Sequence, residues 1–222
     1  MSALMNNCPL LLTAVHILGH NKDMKFHGTI EDILGSKLKV GILRFLFRTR
    51  GLFSGREISR QVGFSPTHTI STLRELEAIG LVSRQRAGNT DLYQINEKNA
   101  AVDGMLAPVF EWESNLPEKL ASLYADKLGK ELVSIRLFGS AARGEEEPDS
   151  DIDLLITLDD RVDIDKLKEV ITDIDLIAGQ VFGSSVSTIV VKESEFAKKV
   201  KAKRGFWKSI PKESKVIFER TR

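Results

Sequence analysis

Apolar residues between positions 30 and 48 recur every three or four residues, which predicts a helix with one buried face. The positions that share this face are Ile33, Leu34, Leu38, Ile42, Leu43, Leu46 and Phe47. Ser54 and Glu57 follow, three residues apart, in a capping-box pattern that predicts the start of a second helix. Gly63 predicts its end, because glycine adopts the left-handed conformation that closes many helices.

A third helix is predicted over residues 66–79. Ser65 is a favoured N-cap residue, and Pro66 then occupies the first helical position, where its missing N–H removes no helical hydrogen bond. The pattern places four side chains on the buried face of this helix: Ile70, Leu73, Leu76 and Ile79. Apolar and polar residues then alternate at 81–84 and 92–95, which predicts two strands joined by a turn. Two helices around a tight turn, followed by a hairpin, indicate a winged helix-turn-helix.

The second half of the chain predicts a domain of mixed helices and strands. Residues 98–130 predict two helices broken at 114–117, and we expect the first to join the domains or to support a homodimer. Short apolar stretches at 132–138, 150–156 and 185–191 predict buried strands. The expected fold is therefore an α/β (α+β) chain of two domains. The expected bounds are 1–23 for an N-terminal extension, 24–98 for the winged helix, 99–117 for a connector helix and 118–222 for the second domain.

Composition limits the function classes. The 222 residues carry a net charge of +1, with 42% hydrophobic and 28% charged residues, which is ordinary for a globular protein. The single cysteine, Cys8, excludes an internal disulfide and a thiolate metal cluster, and it favours a cytoplasmic location. The apolar run 9–19 is too short to span a membrane and lacks a preceding basic segment, so we expect neither a membrane anchor nor a signal peptide. Translation could start at Met1 or at Met24.

Charge is distributed unevenly along the chain. Residues 24–98 hold twelve Lys and Arg against seven Asp and Glu, a net charge of +5 that favours a polyanionic partner. In a winged helix the second helix of the motif enters the major groove, so its outward-facing polar residues are candidate DNA contacts. The candidates are Thr67, His68, Ser71, Thr72 and Arg74 on the helix, with Arg84 and Arg86 on the wing expected to contact phosphate or the minor groove. The alternative is a winged helix that docks another protein and whose charged wing residues are solvated.

The passage "ISTLRELEAIGLVSRQRAGNTDLYQIN" carries a family resemblance. It resembles bacterial and archaeal winged-helix regulators, and the resemblance covers about residues 30–97. This resemblance implies DNA binding and a role in transcription regulation.

Two acidic residues in the second domain indicate metal chemistry. Asp151 and Asp153 lie two positions apart on a predicted strand, so their carboxylates share one face while the alternate residues enter a core. Two adjacent carboxylates repel each other unless a cation lies between them, and hard oxygen ligands suit Mg²⁺ or Mn²⁺. The pair therefore predicts a site for a divalent metal.

The expected strand-to-helix corner at Gly139 and Ser140 would supply the other half of the site. Glycine lets the backbone approach a phosphate, and free N–H groups at a helix start can hold a triphosphate together with the Ser140 hydroxyl. We expect Arg143 either to add charge to the same oxygens or to pair with the acidic loop 145–149 that follows it. Ser150, just before the acidic pair, completes the candidate nucleotide-binding set.

The passage "LFGSAARGEEEPDSDIDLLI" resembles the signature of the minimal nucleotidyltransferases of the DNA polymerase β superfamily. In that family Gly-Ser is followed after ten residues by Asp-x-Asp, and Ser140 and Asp151 have this spacing. The resemblance extends over about residues 118–220 and implies a mixed sheet flanked by helices. It also implies a divalent metal on Asp151 and Asp153, and transfer of a nucleoside monophosphate from a nucleoside triphosphate, with ATP expected, to a protein or nucleic-acid acceptor. Family members often pair with a HEPN-type toxin, so an antitoxin role is a further expectation.

One departure from the family pattern concerns a third carboxylate, which the family commonly supplies from a later strand as the base. Ser187 or Thr188 occupies that position on the predicted strand 185–191. Loss of a positioned base costs on the order of 10²–10⁴ in rate, so metal and nucleotide binding are better supported than turnover. The alternative function is therefore a non-catalytic regulator, whose second domain only binds nucleotide or mediates assembly.

Overall fold

The computed structural model describes residues 29–145 and 150–221, which divide into two compact units between Phe110 and Glu111. Each unit has a hydrophobic core of its own. The expected extension, with Cys8 and both candidate start residues, lies outside the described residues. Across the described ranges, no helix is both long enough and apolar enough to cross a bilayer.

The first unit combines short helices with a small sheet. Its helices are α1 (Thr29–Leu34), α2 (Lys37–Thr49), α3 (Gly55–Val62) and α4 (Pro66–Ala78). Its strands are β1 (Phe53–Ser54), β2 (Val82–Ala87) and β3 (Thr90–Ile95), which pair antiparallel in the order β1-β3-β2. A π-helical turn (Val102–Leu106) follows, and α5 (Ala107–Ser114) spans the point at which the units divide. Helices α3 and α4 followed by the β2–β3 hairpin are the arrangement of a winged helix, as the sequence predicts.

Local capping signals set the ends of α3 and α4. The Ser54 backbone N–H donates to the Glu57 carboxylate at 2.8 Å, and the Ser54 hydroxyl accepts from the Glu57 N–H, so the predicted capping box is present. Gly63 closes α3 in the left-handed region, with a φ of 73°. The Ser65 hydroxyl accepts from the His68 N–H at the start of α4. These contacts fix the tight turn between the two helices.

Several expectations for this unit are wrong, among them the burial of Leu34, which is 38% exposed. The stretch 30–48 is not one helix, because Ser36 caps a new start by accepting from the Lys39 N–H at 3.1 Å. Ile79 does not complete the buried face of α4. It is the C-cap residue, beyond the last helical position at Ala78, and is 42% exposed.

The second unit contains a four-stranded mixed sheet in the order β6-β5-β4-β7. Its strands are β4 (Leu132–Phe138), β5 (Ile152–Leu158), β6 (Val186–Lys192) and β7 (Lys215–Glu219). Its helices are α6 (Leu116–Leu128), α7 (Gly139–Arg143), α8 (Ile164–Phe182), α9 (Glu193–Ala202) and α10 (Phe206–Glu213). A 3₁₀ turn (Gly129–Glu131) joins α6 to β4. Strands β5 and β6 run parallel, whereas β4 is antiparallel to both of its neighbours.

Helices cover both faces of this sheet. One face carries the larger core, in which α6 and α8 pack on Leu154 and Ile156 of β5. On the other face Leu155 packs with Ile210 of α10 and is flanked by Phe196 and Trp207. Since successive strand residues alternate between faces, Asp153 lies on the same face as Leu155, which α9 and α10 cover.

Strand β5 begins later than the sequence predicts. Its ladder with β6 starts at Ile152, which pairs with Val186 and whose N–H donates to the Ser185 carbonyl at 2.8 Å. Asp151 therefore lies immediately before the strand instead of within it, which corrects the expected placement of both acids on one strand.

Candidate functional site

Three strands of the second unit meet at the site. Asp153 on β5 lies between Phe138, the last residue of β4, and Ser187 on β6. Helix α7 begins at Gly139, directly after Phe138. The chain thus brings the Gly-Ser corner and the Asp-x-Asp pair together from opposite sides of the acidic loop.

Gly139 touches the carboxylate of Asp153. A Cβ built on Gly139 would overlap Asp153 Oδ2 and lie 3.2 Å from its Cγ. Gly139 also has a φ of 72°, in the left-handed region that other residues avoid. Two independent constraints, the positive φ and the contact with Asp153, therefore require glycine at this corner. The absence of a Cβ lets the start of α7 lie against the Asp153 carboxylate.

The two acidic side chains differ in environment. Asp153 is half-buried, whereas Asp151 is exposed. Burial first, and the neighbouring Asp151 carboxylate second, raise the pKa of Asp153 above its ordinary value. Within the part of the chain that the structure describes, no Lys, Arg or His forms an ion pair with either acid and no donor hydrogen-bonds to them. Their oxygens are therefore available to a cation, which would relieve the repulsion between them.

The candidate nucleotide-binding residues Ser140, Arg143 and Ser150 differ in whether their side chains already have a partner. No side chain caps the N-terminus of α7, and the Ser140 hydroxyl has no hydrogen-bond partner among residues 29–145 and 150–221. Arg143 Nε donates to the Glu145 carboxylate at 2.7 Å, so the ion pair is the alternative present in this structure. Ser150 is half-buried, adjacent to Asp151, and has an interaction partner.

The register of β6 distinguishes the two residues that could replace the third acid. Ser187 is the direct neighbour of Asp153 and is exposed. Thr188 points to the opposite face, where its hydroxyl donates to Asp175 at 2.8 Å, and Asp175 also accepts from the buried Tyr124 hydroxyl at 2.6 Å. Ser187 is therefore the residue at the expected position of the base. Among the described residues no group of three or more His, Cys, Asp and Glu is placed to hold a metal.

An aromatic pair beside the site was not identified from the sequence. Phe206, the first residue of α10, contacts Phe138 edge to face with ring centroids 5.1 Å apart. Phe206 also contacts Trp207 and remains 38% exposed. Nothing in the spacing of the sequence predicts this contact, because the two phenylalanines are 68 positions apart and meet through the packing of α10 on the sheet.

The first unit presents a polar surface on α4. Thr67, His68, Ser71 and Arg74 are exposed, as the sequence predicts for residues that face DNA. Thr72 is only 4% exposed, so its assignment as an outward-facing candidate is wrong. It lies beside Leu73 on the core side of the helix.

The two wing arginines differ. Arg84 Nε donates to Glu77 at 3.0 Å and its Nη1 to Asp91 at 3.2 Å, and these carboxylates raise the pKa of its guanidinium. Arg84 thus ties the wing to the end of α4. Arg86 is exposed near the hairpin tip, with Nε donating to the Gly88 carbonyl at 3.3 Å.

One family model matches most of the second unit. Residues 118–220 match the family model described as "Nucleotidyltransferase domain". No curated protein matches the chain.

Several solved structures are similar to parts of the chain. A toxin-antitoxin structure with AMP-PNP is 19% identical, with 48% of this chain and 75% of that chain covered and a TM-score of 0.36. A homodimeric winged helix-turn-helix DNA-binding domain from Mycobacterium bovis is 23% identical, with 39% and 79% covered and a TM-score of 0.32. The AntR antimony-specific transcriptional repressor is 18% identical, with 52% and 99% covered and a TM-score of 0.35.

Proposed function

We propose, on the premise that residues 118–220 form a nucleotidyltransferase domain, that this chain transfers a nucleoside monophosphate from a nucleoside triphosphate to an acceptor hydroxyl. The observation that carries the proposal is the unpaired Asp151 and Asp153 carboxylates against the Gly139 corner. In the reaction the acceptor oxygen forms a bond to the α-phosphorus, the bond from that phosphorus to the β-phosphate breaks, and pyrophosphate leaves. The acceptor proton passes to solvent.

The residues present fit a divalent cation. Mg²⁺ is commonly held by one or two protein carboxylates together with substrate phosphates, and Asp151 and Asp153 offer such a pair. Burial and the Asp151 carboxylate raise the pKa of Asp153, and a cation bound between the two acids would oppose this by favouring the ionised carboxylate. When bound, Mg²⁺ or Mn²⁺ would supply charge stabilisation to the oxygens of the transferring phosphoryl group.

The protein's own contribution is binding and orientation. Gly139 lets the backbone approach the triphosphate, and the Ser140 hydroxyl is available to donate to it. Arg143 would have to leave Glu145 before it could contact a phosphate. Ser187 has no acidic group to accept the acceptor proton, so we expect slow turnover compared with an enzyme that has a positioned base.

Labelled nucleotide provides the test. Each nucleoside triphosphate, labelled on the α-phosphate, is incubated with the full chain, Mg²⁺ and candidate acceptors, with ATP expected to be the preferred donor. The acceptors include RNA, DNA, the chain itself and a HEPN-type toxin, which the family resemblance implies as a partner. The proposal predicts transfer that is lost in Asp151→Asn and in Asp153→Asn. Transfer that persists in both variants would contradict it.

A second function, sequence-specific DNA binding by a dimer, is supported by the exposed polar face of α4. Arg86 is available to phosphate, whereas Arg84 is held by two carboxylates. Loss of one phosphate contact lowers the salt slope of binding by about 1, so Arg86→Ala should show this change. A gel-shift titration on duplex DNA from upstream of the gene measures it. Absence of a shift, or a shift that neither Arg86→Ala nor Ser71→Ala changes, would contradict DNA binding through this surface.

A further inference from the structure

A strongly basic segment lies in the second unit. Residues 198–215 hold eight Lys and Arg and one acidic residue, Glu213, a net charge of +7 in a chain whose net charge is +1. Lys199 is paired with Glu195 and lies 4.6 Å from the Trp207 ring centroid. The other seven cations are exposed and have no ion-pair partner within the described residues: Lys198, Lys201, Lys203, Arg204, Lys208, Lys212 and Lys215. This segment, α9 to the start of β7, is called the basic segment below.

The basic segment includes an open cavity. Three of its lysines, Lys203, Lys208 and Lys212, line a cavity of about 670 Å³, and one acid, Glu213, lines it with them. Three cations against one carboxylate leave an excess of positive charge in the cavity, and an anionic ligand would reduce the repulsion among the lysines. The arrangement therefore favours a ligand with several negative charges.

The same segment borders the candidate active site. Helix α10 packs against α7, and its first residue, Phe206, contacts Phe138 next to the Gly139 corner. Phe206 is 38% exposed, so a planar group can reach its ring. Phe206 does not line the cavity and lies instead at the end of α10 that contacts Phe138. Proteins bind single-stranded nucleic acid with cations that contact phosphates and aromatic rings on which bases stack, and a strand several nucleotides long could reach both features.

We propose that the basic segment binds a single-stranded nucleic acid and that the end of this strand is the acceptor of the transferred nucleotide. The binding part stands on the geometry of α9 and α10, and the acceptor part rests on the proposed function. In the transfer step the terminal hydroxyl oxygen of the strand forms the bond to the α-phosphorus, pyrophosphate leaves, and the hydroxyl proton passes to solvent. An acidic protein would also be attracted by the lysines, but it would make no use of the exposed Phe206 ring.

Binding is measured by fluorescence anisotropy on the full chain. The probes are labelled single strands of about 16 nucleotides, one of RNA and one of DNA, and a duplex of the same sequence. A variant with Lys203, Lys208 and Lys212 changed to Gln removes three cations. Each phosphate contact contributes about 0.7 to the slope of log affinity against log salt. Three contacts should therefore lower the slope by about 2 and the affinity roughly 100-fold at about 0.1 M salt.

A matched control removes three exposed lysines elsewhere in the same unit. Lys119, Lys127 and Lys130 changed to Gln alter the net charge equally and should leave strand affinity close to that of the parent. Phe206→Leu keeps apolar volume beside Phe138 but removes the stacking surface, and we expect strand affinity to fall on the order of tenfold. Binding of the duplex through the winged helix should not change in any of these variants.

Strand binding and nucleotide transfer can be lost separately, so the two proposals can fail separately. The double variant Asp151→Asn, Asp153→Asn should keep strand binding while transfer disappears, so a failure of catalysis leaves the binding result intact. Equal losses in the Gln variant and its control would overturn the proposal. So would competition by polyglutamate as strong as by an unlabelled strand, which would indicate an acidic protein ligand. A Gln variant that loses affinity for Mg-nucleotide but keeps affinity for the strand would assign the lysines to the triphosphate instead.

Discussion

Replacement of Gly139 by alanine tests the geometry on which the site depends. The new methyl group would overlap Asp153 Oδ2, so either α7 or the carboxylate has to move. A left-handed backbone conformation costs a non-glycine residue about 1–2 kcal/mol. The overlap adds about 1–3 kcal/mol, the usual cost of an overpacked contact. We expect the free energy of unfolding to fall by about 2–5 kcal/mol, because both costs act at one residue.

Gly144 offers a matched control. It ends α7 with a φ of 71°, close to the value at Gly139, but a Cβ built there meets nothing within 4 Å. Gly144→Ala should therefore show the backbone strain alone, about 1–2 kcal/mol. Comparison of the two variants isolates the contact with Asp153.

The assays are urea unfolding for stability and isothermal titration calorimetry with Mg²⁺ and a nonhydrolysable ATP analogue for binding. Gly144→Ala should bind nucleotide like the parent, whereas Gly139→Ala should bind much more weakly at a temperature where both are folded. A displacement of about 1 Å can cost on the order of 10² in rate, so transfer should fall by a similar factor. Folded Gly139→Ala with the parent's nucleotide affinity would refute the reasoning.

Three further substitutions probe the acids and their neighbours. The pKa of Asp153 is raised, so the folded state holds the carboxyl proton more tightly than the unfolded state, and stability falls as pH rises above about 4. Without metal, Asp153→Asn should therefore be more stable than the parent at neutral pH, and the difference should shrink on acidification. Thermal melts across pH measure this difference. Ser187→Asp adds an acid beside Asp153 and should raise the transfer rate by on the order of 10², measured with labelled nucleotide; an unchanged rate would mean that the base is not limiting. Asp175→Ala removes two hydrogen bonds to a carboxylate and leaves the buried Tyr124 hydroxyl unpaired. Urea unfolding should therefore show that the free energy of unfolding falls by about 2–3 kcal/mol. The control Asp173→Ala, at an exposed residue of the same helix, should change it little.

Features with local causes are the ones that the sequence predicts. The capping box at Ser54 and Glu57 depends on residues three positions apart, and Ser65 with Pro66 begins α4 in the same way. Strand β4 coincides with the predicted stretch 132–138 because a short apolar run between two helical patterns has few alternatives.

Features that depend on packing are the ones that the sequence does not determine. Thr72 lies on the core side of α4, and at the edge of an apolar stripe one polar residue cannot be assigned to a face without its neighbours. The choice between Ser187 and Thr188 required the register of β6, because a shift of one residue exchanges the two faces of a strand. The contact of Phe206 with Phe138 likewise required the position of α10 on the sheet.

The central claim is that Asp151 and Asp153 together hold a divalent metal with the triphosphate. Electron paramagnetic resonance of Mn²⁺ tests this directly, because the Mn²⁺–nucleotide complex loses further signal when it binds to the protein. In the presence of a nonhydrolysable nucleoside triphosphate, we expect the folded parent to bind Mn²⁺ and the double variant Asp151→Asn, Asp153→Asn to leave it in solution with its nucleotide. Equal Mn²⁺ binding by the parent and the double variant would contradict the account.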